Sequence, residues 1–186
     1  DDVDLVGYAD SKPIEHRQGF TDAESILRLQ SQMGLQVWNG IRAIDFVSSL
    51  PDADPSRIAV HGASGGGTQT FLLFAVDERP AVSCPVVMVS TGMQGGCTCE
   101  NADYLRVGAG NIDIAALAAP RPLNMVGAHD WTAEIMTKGY PDLQKLYAML
   151  GHPDRVHAEA FLNFEHNYNS VSRTVVSAFP RIFLTA

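Results

Sequence analysis

The sequence predicts an α/β fold, with a mostly parallel β-sheet and helices on both of its faces. Short apolar runs rich in β-branched residues alternate along the chain with segments in which apolar residues recur every three or four positions. This alternation is typical of strands joined by helical crossovers. Polar residues follow directly on several of the apolar runs. Because ligands of parallel sheets bind at the carboxyl ends of the strands, the same pattern predicts where a site lies.

The composition fits one compact domain that covers residues 1–186. Of the 186 residues, 46% are hydrophobic, which is enough for a sizeable core. The formal net charge is −8, with Lys and Arg scattered singly, and this argues against a nucleic-acid partner because phosphate binding needs a basic face. No apolar run is long enough to cross a bilayer, and the first residues do not form a signal peptide. We therefore expect a soluble protein, and its compartment stays open, export included.

The most informative stretch is residues 58–67, an apolar run that ends in a serine bracketed by glycines. Residues 62–66 read Gly-Ala-Ser-Gly-Gly, the spacing Gly-x-Ser-x-Gly of a nucleophile elbow, in which a tight strand-to-helix turn exposes the hydroxyl of Ser64. Glycine is expected at positions 62 and 66 because side chains there would collide with the backbone of the turn. The alternative is a glycine-rich turn that holds a phosphate at the N-terminus of the following helix.

The remaining elements follow from the same periodicities. Further strands are predicted at residues 3–8, 86–89, 123–126 and 156–164. Helices are predicted at residues 21–29, 32–50, 68–76, 132–150 and 171–183. The first helix begins with a capping box in which Thr21 is the N-cap and Glu24 reaches back, and Pro85 is expected at the first edge of its strand. Residues 91–111 form a long glycine-rich excursion, which is typical of a loop over a site.

A serine nucleophile at neutral pH needs a base within hydrogen-bond reach and a carboxylate that fixes the tautomer of that base. The sequence offers these groups in the order Ser64, Asp130 and His166, each after a separate predicted strand. The order serine, acid, histidine is the one found with nucleophile elbows. The backbone N–H of Gly65 is the expected donor to the oxyanion that forms on the substrate.

Other histidines and acids fit these roles less well. His61 lies inside the elbow strand and is expected to be a core imidazole, while His129 precedes Asp130 and should point the other way. His16 lies on a loop, where a contact with substrate stays open. Glu134 is the reserve acid, and Glu100 and Asp103 on the excursion are expected to be solvated.

Three cysteines are too few, and odd in number, for a disulfide framework. Cys97 and Cys99 could chelate a metal, but zinc sites usually place cysteines two to four residues apart and need further ligands. A bridge from Cys84 to one of them stays open for an exported protein. We expect no metal and no cofactor.

The chain resembles the α/β-hydrolases, and especially their acetyl xylan esterase and dienelactone-hydrolase-like branch. The matching residues are His-Gly-Ala-Ser-Gly-Gly at 61–66, Gly-Ala-His-Asp at 127–130 and Phe-Glu-His-Asn-Tyr at 164–168. Residues 4–11 also resemble the segment Asp-x-Arg-Gly-x-Gly-x-Ser that follows the family's fourth strand, although Val6 and Ala9 replace its Arg and second Gly. The resemblance implies an α/β-hydrolase-type sheet that lacks the first strands of the common core. The loop that donates the second oxyanion hydrogen bond is then also missing, and Tyr8 is the candidate replacement.

The resemblance implies a serine carboxylic-ester hydrolase that acts on small acyl esters, acetylated carbohydrate among them. Because the nucleophile position holds Ser64, where dienelactone hydrolases have cysteine, ester chemistry is favoured over lactone chemistry. The expected pocket walls are Tyr8, Met93, Gln94 and Trp131, although Trp131 fits the core equally well. Two alternatives stay open, a non-catalytic binding or scaffold protein and a serine peptidase of the same fold. A strand at residues 3–6 would form an open sheet edge, so we expect a homo-oligomer.

Overall fold

The computed structural model describes residues 14–92, 95–101 and 103–184, which form a parallel sheet with helices around it. The four strands lie in the order in which they occur in the sequence, and each pairs in parallel with its neighbour. They are β1 (Ala59–Ala63), β2 (Val82–Val86), β3 (Leu123–Ala128) and β4 (Val156–Phe161). The predicted α/β class is confirmed. The predicted strand at residues 3–8, with Tyr8, and the predicted wall residues Met93 and Gln94 lie outside the described residues.

Six α-helices accompany the sheet in the described part of the chain. They are α1 (Ala23–Leu27), α2 (Gln32–Ser49), α3 (Gly65–Val76), α4 (Asn111–Ala116), α5 (Tyr140–Met149) and α6 (Ser170–Leu184). None of them combines the length and the apolar character that a membrane crossing would need. The excursion at residues 91–111 contains two short 3₁₀ turns, Thr98–Glu100 and Asp103–Arg106.

Strand β2 differs from its prediction, because it begins four residues earlier and contains Pro85. Pro85 pairs with Gly62 of β1. On the other side the register to β3 includes only Ser83 with Leu123 and Val86 with Val126. Proline has no N–H to donate. The ladder of backbone hydrogen bonds between β2 and β3 is therefore interrupted at Pro85. A proline is therefore tolerated inside a central strand here.

The start of α1 also differs from its prediction. Asp22, not Thr21, is the N-cap, because its carboxylate accepts a hydrogen bond from the Ser25 N–H at 3.0 Å. The Thr21 hydroxyl instead donates to the Gln18 carbonyl oxygen. Threonine and aspartate both cap helices well, and the prediction from sequence named the wrong one of these two adjacent residues.

Two hydrophobic cores lie on opposite faces of the sheet. On β3, Leu123 and Met125 belong to the core beneath α3, α4 and α5, with Phe71 and Tyr147. Val126 instead belongs to the core under α6. Successive side chains of a strand point to opposite faces, so β3 is buried on both. Its carboxyl end is thereby held rigidly between two packed layers.

Candidate active site

Ser64 lies at the turn between β1 and α3. Its backbone has φ 56° and ψ −122°, a conformation that a residue other than glycine adopts only at a cost of about 1–3 kcal/mol. The neighbouring elements hold it there: the Ser64 N–H donates to the Val86 carbonyl oxygen at 3.0 Å, and the Ser64 carbonyl accepts from the Thr68 N–H at 2.9 Å. The turn has the geometry of a nucleophile elbow.

The glycines of the turn have unequal roles. A Cβ at Gly62 would lie 2.6 Å from the Gly66 carbonyl oxygen, and a Cβ at Gly67 would lie 2.7 Å from the Val86 carbonyl oxygen. A Cβ at Gly66 would meet nothing within 4 Å. The expectation of a steric need for glycine is therefore correct at position 62 and wrong at position 66, where the backbone of Gly66 is what approaches its neighbour.

Gly65 places a backbone donor next to the serine. It is the first residue of α3, so its N–H has no carbonyl partner within its own helix. The positive end of the helix dipole lies at the same point. This N–H is therefore free to donate a hydrogen bond to a ligand oxygen beside Ser64.

His166 and Asp130 form a hydrogen-bonded pair at the carboxyl ends of β4 and β3. His166 Nδ1–H donates to Asp130 Oδ2 at 2.7 Å. The Asp130 side chain is only 5% exposed, whereas that of His166 is 32% exposed. The carboxylate therefore fixes the ring orientation and leaves Nε2 as the nitrogen that can accept a proton.

Thr132 holds the other carboxylate oxygen of Asp130. Both the N–H and the hydroxyl of Thr132 donate to Oδ1, at 2.7 and 2.5 Å. The same hydroxyl accepts from the Ala128 N–H at 3.0 Å, which ties it to the end of β3. Asp130 thus has partners on both oxygens and a single orientation.

Trp131 connects this pair with the serine. Its ring lies 4.6 Å from the His166 ring, centroid to centroid, at an interplanar angle of 31°. Its side chain is 39% exposed and lines a cavity of about 400 Å³ that also contains Ser64 and Gly65. Within the described residues the Ser64 hydroxyl makes no hydrogen bond, so the link from Ser64 to His166 is not closed in this structure. Catalytic hydrogen bonds often close only when substrate is bound.

Another part of the cavity wall comes from two loops that are distant in sequence. Residues His16 and Arg17 form one part of it, and Cys97, Cys99 and Glu100 of the excursion form the other. Glu100 is buried, and its carboxylate accepts from the Cys97 N–H at 3.2 Å. The expectation that Glu100 is a solvated loop carboxylate is therefore wrong.

The backbone is similar to that of solved esterases. The methylesterase BT1017 superposes with a TM-score of 0.81 over 96% of this chain, at 32% sequence identity. A carbohydrate esterase family 15 glucuronoyl esterase from Caldicellulosiruptor kristjansonii superposes with a TM-score of 0.69 over 89% of the chain, at 17% identity. The Bacillus subtilis (strain 168) protein YtaP, which is named as a putative hydrolase, is 29% identical in an alignment of 177 residues that covers 88% of this chain. No protein-family model matches the chain.

The chain has an α/β-hydrolase-type fold. It spans 40% of BT1017, 54% of the glucuronoyl esterase and 58% of YtaP. This α/β-hydrolase-type chain thus spans about half of the length of each relative, and its sheet includes the edge at which Ser64, Asp130 and His166 lie.

Within the α/β-hydrolase-type sheet, the competing histidines have other partners. His61 is exposed, and a hydrogen bond of 3.1 Å joins its Nδ1 to the Tyr168 hydroxyl. The expectation of a core imidazole is wrong because β1 is the edge strand of the described sheet. His129 pairs with Glu165 at 3.1 Å on the surface, and the reserve acid Glu134 pairs with Lys138 at 2.7 Å.

The three thiols of the chain are all free. Cys84 is buried in β2, and burial raises the pKa of its thiol to about 12, which makes it unreactive near neutral pH. Burial also raises the pKa of the Cys99 thiol far above its ordinary value. Cys97 is half-buried at the wall of the cavity.

Sequence reasoning missed two kinds of residue at this site. Thr132 had a local signal. The side chain of an aspartate often accepts a hydrogen bond from the backbone N–H two residues later, in an Asx turn. Glu100 had no such signal, because its approach to Ser64 depends on how a loop without periodicity folds back over the sheet. His16 was left open as a substrate contact, and it lines the cavity with Ser64.

Proposed function

We propose that this chain is a serine carboxylic-ester hydrolase, with Ser64 as nucleophile, His166 as general base and acid, and Asp130 as the group that orients His166. The observation that carries the proposal is the strained Ser64 turn at the same sheet edge as the His166–Asp130 pair, with Trp131 in contact with the histidine and the serine cavity. Similarity to esterases supports the reaction class.

In the proposed reaction the Ser64 hydroxyl attacks the ester carbonyl carbon while His166 Nε2 takes its proton. The Gly65 N–H stabilises the oxyanion, a contribution of about 3 kcal/mol to the barrier for one such donor. His166 then returns the proton to the leaving alcohol. Water attacks the acyl-enzyme in the same way and releases the acid. The second oxyanion donor is proposed to be Tyr8, which lies outside the described residues.

The proposed substrates are esters in which one side of the ester bond is small, because the cavity of about 400 Å³ is at the small end of the range for ligand sites. Acetylated carbohydrate meets this condition. Met93 and Gln94, outside the described residues, complete the proposed pocket with Trp131.

A second candidate substrate is the methyl ester of a uronic acid. The similarity to a methylesterase and to glucuronoyl esterases favours it. Arg17 also favours it, because this exposed cation lines the cavity and has no ion-pair partner in the described part of the chain. Its guanidinium would attract the free carboxylates of a polyuronate chain.

The mechanism is tested with Ser64→Ala, which should abolish hydrolysis of p-nitrophenyl acetate and labelling by a fluorophosphonate probe. Circular dichroism and thermal melting establish that the variant is folded. The matched control is Ser49→Ala at an exposed serine of α2, which should behave as wild type. Retained turnover in Ser64→Ala would refute the nucleophile, and an unlabelled wild-type chain would favour the non-catalytic scaffold.

The ester class is tested by offering acetylated xylo-oligosaccharides and methyl uronates to the same preparation. Release of acetate identifies the first substrate, and release of methanol identifies the second. A peptide amide substrate serves as the third arm, and its cleavage in preference to both esters would point to a peptidase.

A further inference from the structure

Three side chains of types that bind soft metal ions converge beside the proposed nucleophile. One ligand atom each from His16, Cys97 and Cys99 lies within 4.8 Å of the other two. His16 precedes Cys97 by 81 residues, so the cluster is produced by tertiary folding and not by a local turn. The sequence offered only the two cysteines, at a spacing that is short for a zinc site, and gave no third ligand.

The cluster has the surroundings of a built site. His16 and Cys99 are buried, Cys97 is half-buried, and all three line the cavity that contains Ser64. The loop is held in shape, because the Cys99 N–H donates to Cys97 Sγ at 3.4 Å and Asn101 donates to the Cys97 carbonyl oxygen at 2.8 Å. The Cys97 sulfur is therefore positioned by a backbone N–H before any ion binds.

We propose that His16, Cys97 and Cys99 bind one Zn²⁺ ion whose fourth coordination position opens into the cavity beside Ser64. Two thiolates with one imidazole form a ligand set typical of zinc with an open position. With Zn–S near 2.3 Å and Zn–N near 2.0 Å, tetrahedral ligand atoms lie about 3.5–3.8 Å apart. The observed 4.8 Å limit thus requires the ligand atoms to approach one another by no more than about 1.3 Å. Binding releases the two thiol protons to solvent.

The ligand set favours a metal over a disulfide. A Cys97–Cys99 disulfide would involve only the two sulfurs, whereas the ligand atoms of all three residues lie within 4.8 Å of one another. A bound zinc would use all three groups, and it would fasten the loop of residues 97–100 to the segment around His16. The site would then set the shape of the cavity wall that these residues form.

The proposal is independent of the serine mechanism. Ser64→Ala removes the proposed nucleophile but none of the three ligands, so it should keep its zinc. A chain that binds zinc but hydrolyses no ester would contradict the proposed function alone, and an active esterase without zinc would contradict this inference alone.

The test measures zinc in the full chain after reduction, removal of metals with a chelator and return of zinc chloride. Mass spectrometry of the metal should give one zinc per wild-type chain after gel filtration. Cys97→Ser, Cys99→Ser and His16→Gln should each weaken binding at least about tenfold. Cys84→Ala is the matched control, because it removes a buried thiol that lies outside the cluster, and it should bind as wild type.

Cobalt provides a second readout that needs no variant. Co²⁺ added to the reduced wild-type chain should give the intense near-ultraviolet absorption of thiolate-to-cobalt charge transfer, and zinc chloride should abolish it. Zinc should also raise the melting temperature of wild type and of Cys84→Ala, but not that of the ligand variants. A reduced wild-type chain that binds no more zinc than the Cys97→Ser/Cys99→Ser double variant, or a cobalt spectrum without that absorption, would overturn the proposal.

Discussion

Thr132 determines how Asp130 can serve the proposed reaction. It is buried, donates twice to Asp130 Oδ1 and accepts from the Ala128 N–H. One residue therefore joins the acid to the rigid end of β3. Because Asp130 in turn bonds to His166, a shift of Thr132 would also shift the imidazole that we propose as the general base, without any contact between Thr132 and the substrate.

Thr132→Val should lower kcat by about 10- to 100-fold with little change in KM, since a small misplacement of a catalytic group costs up to about that factor. It should also cost about 1–3 kcal/mol of stability, because the Ala128 N–H loses its buried acceptor. Thr132→Ser keeps the hydroxyl and should restore kcat. Steady-state kinetics on p-nitrophenyl acetate provide the measurement. If KM rises while kcat is unchanged, Thr132 does not act through Asp130.

Gly62 and Gly66 should differ sharply when each is replaced by alanine. Gly62→Ala places a Cβ against backbone of the elbow at 2.6 Å, so we expect a loss of about 3 kcal/mol or more, as overpacking against atoms that cannot move is costly. Gly66→Ala adds a Cβ to open space within α3 and should gain up to about 1 kcal/mol from helix propensity. Urea unfolding of both variants gives the comparison. Equal losses would contradict the close approach at Gly62.

At the scale of elements, a charged network fastens the C-terminal end of α3 to α2. Arg79 donates to both carboxylate oxygens of Asp77, the buried C-cap of α3, and also pairs with Asp45 on α2 at 2.5 Å. The hydrogen bonds from Arg79 hold the pKa of the Asp77 carboxyl below its ordinary value. The stabilisation from Asp77 is therefore fully present above the unfolded-state pKa of about 3.9 and disappears as the pH falls through the lower folded-state pKa.

Asp77→Asn should cost about 1–3 kcal/mol at pH 7, the range for hydrogen bonds to a charged group. The difference from wild type should shrink as the pH falls below about 4, because the carboxylate of the unfolded chain is protonated there, and it should disappear below the lower folded-state pKa of Asp77. Urea unfolding from pH 7 to pH 3 provides the measurement. Asp52→Asn at an exposed residue is the control and should stay within about 0.5 kcal/mol of wild type. A constant difference for Asp77→Asn across this range would show that its charge is not what stabilises the end of α3.

The periodicity of apolar residues predicted most helices and strands, because an element that buries one or both of its faces needs apolar residues at that periodicity. The run from Leu123 was predicted as a strand because β3 is covered on both faces, and α2 was predicted almost to its last residue because one of its faces packs on the core. The errors occur where the pairing with neighbouring strands, and not the periodicity of the segment itself, decides the local structure. Pro85 is tolerated in β2 only because of the interrupted ladder to β3, and His61 is exposed only because β1 has no second neighbour in the described sheet.

The candidate site was predictable to the extent that motifs encode it. Ser64 follows β1 directly, and Asp130 and His166 lie in the loops that follow the carboxyl ends of β3 and β4, so their common edge follows from parallel topology. No such rule predicts the part of the cavity wall that His16, Cys97 and Cys99 form. His16 meets Cys97 and Cys99 through the path of two irregular loops, and nothing in a short spacing of cysteines predicts a histidine 81 residues away.

At the scale of the whole molecule, the described sheet ends at β1 with a row of unbonded backbone groups. Ser64 N–H and the Ile58 carbonyl both bond to the β2 side, and backbone groups alternate in direction along a strand. The groups of Ala59, His61 and Ala63 therefore face away from β2. A groove of about 620 Å³ runs along this edge, and its walls include apolar residues of α2 and α3 such as Ile44 and Leu73.

Because an unpaired edge beside an apolar groove is a template for strand pairing, we expect the chain to self-associate through β1. Light scattering after gel filtration should give a mass above 20.1 kDa that rises with concentration. Ala59→Pro should shift the chain toward monomer, because proline removes an outward donor while the ladder to β2 keeps its own bonds. Ala59→Ser keeps the donor and is the matched control. A wild-type chain that is monomeric at every concentration, or an Ala59→Pro variant that associates as wild type does, would exclude this edge as the interface.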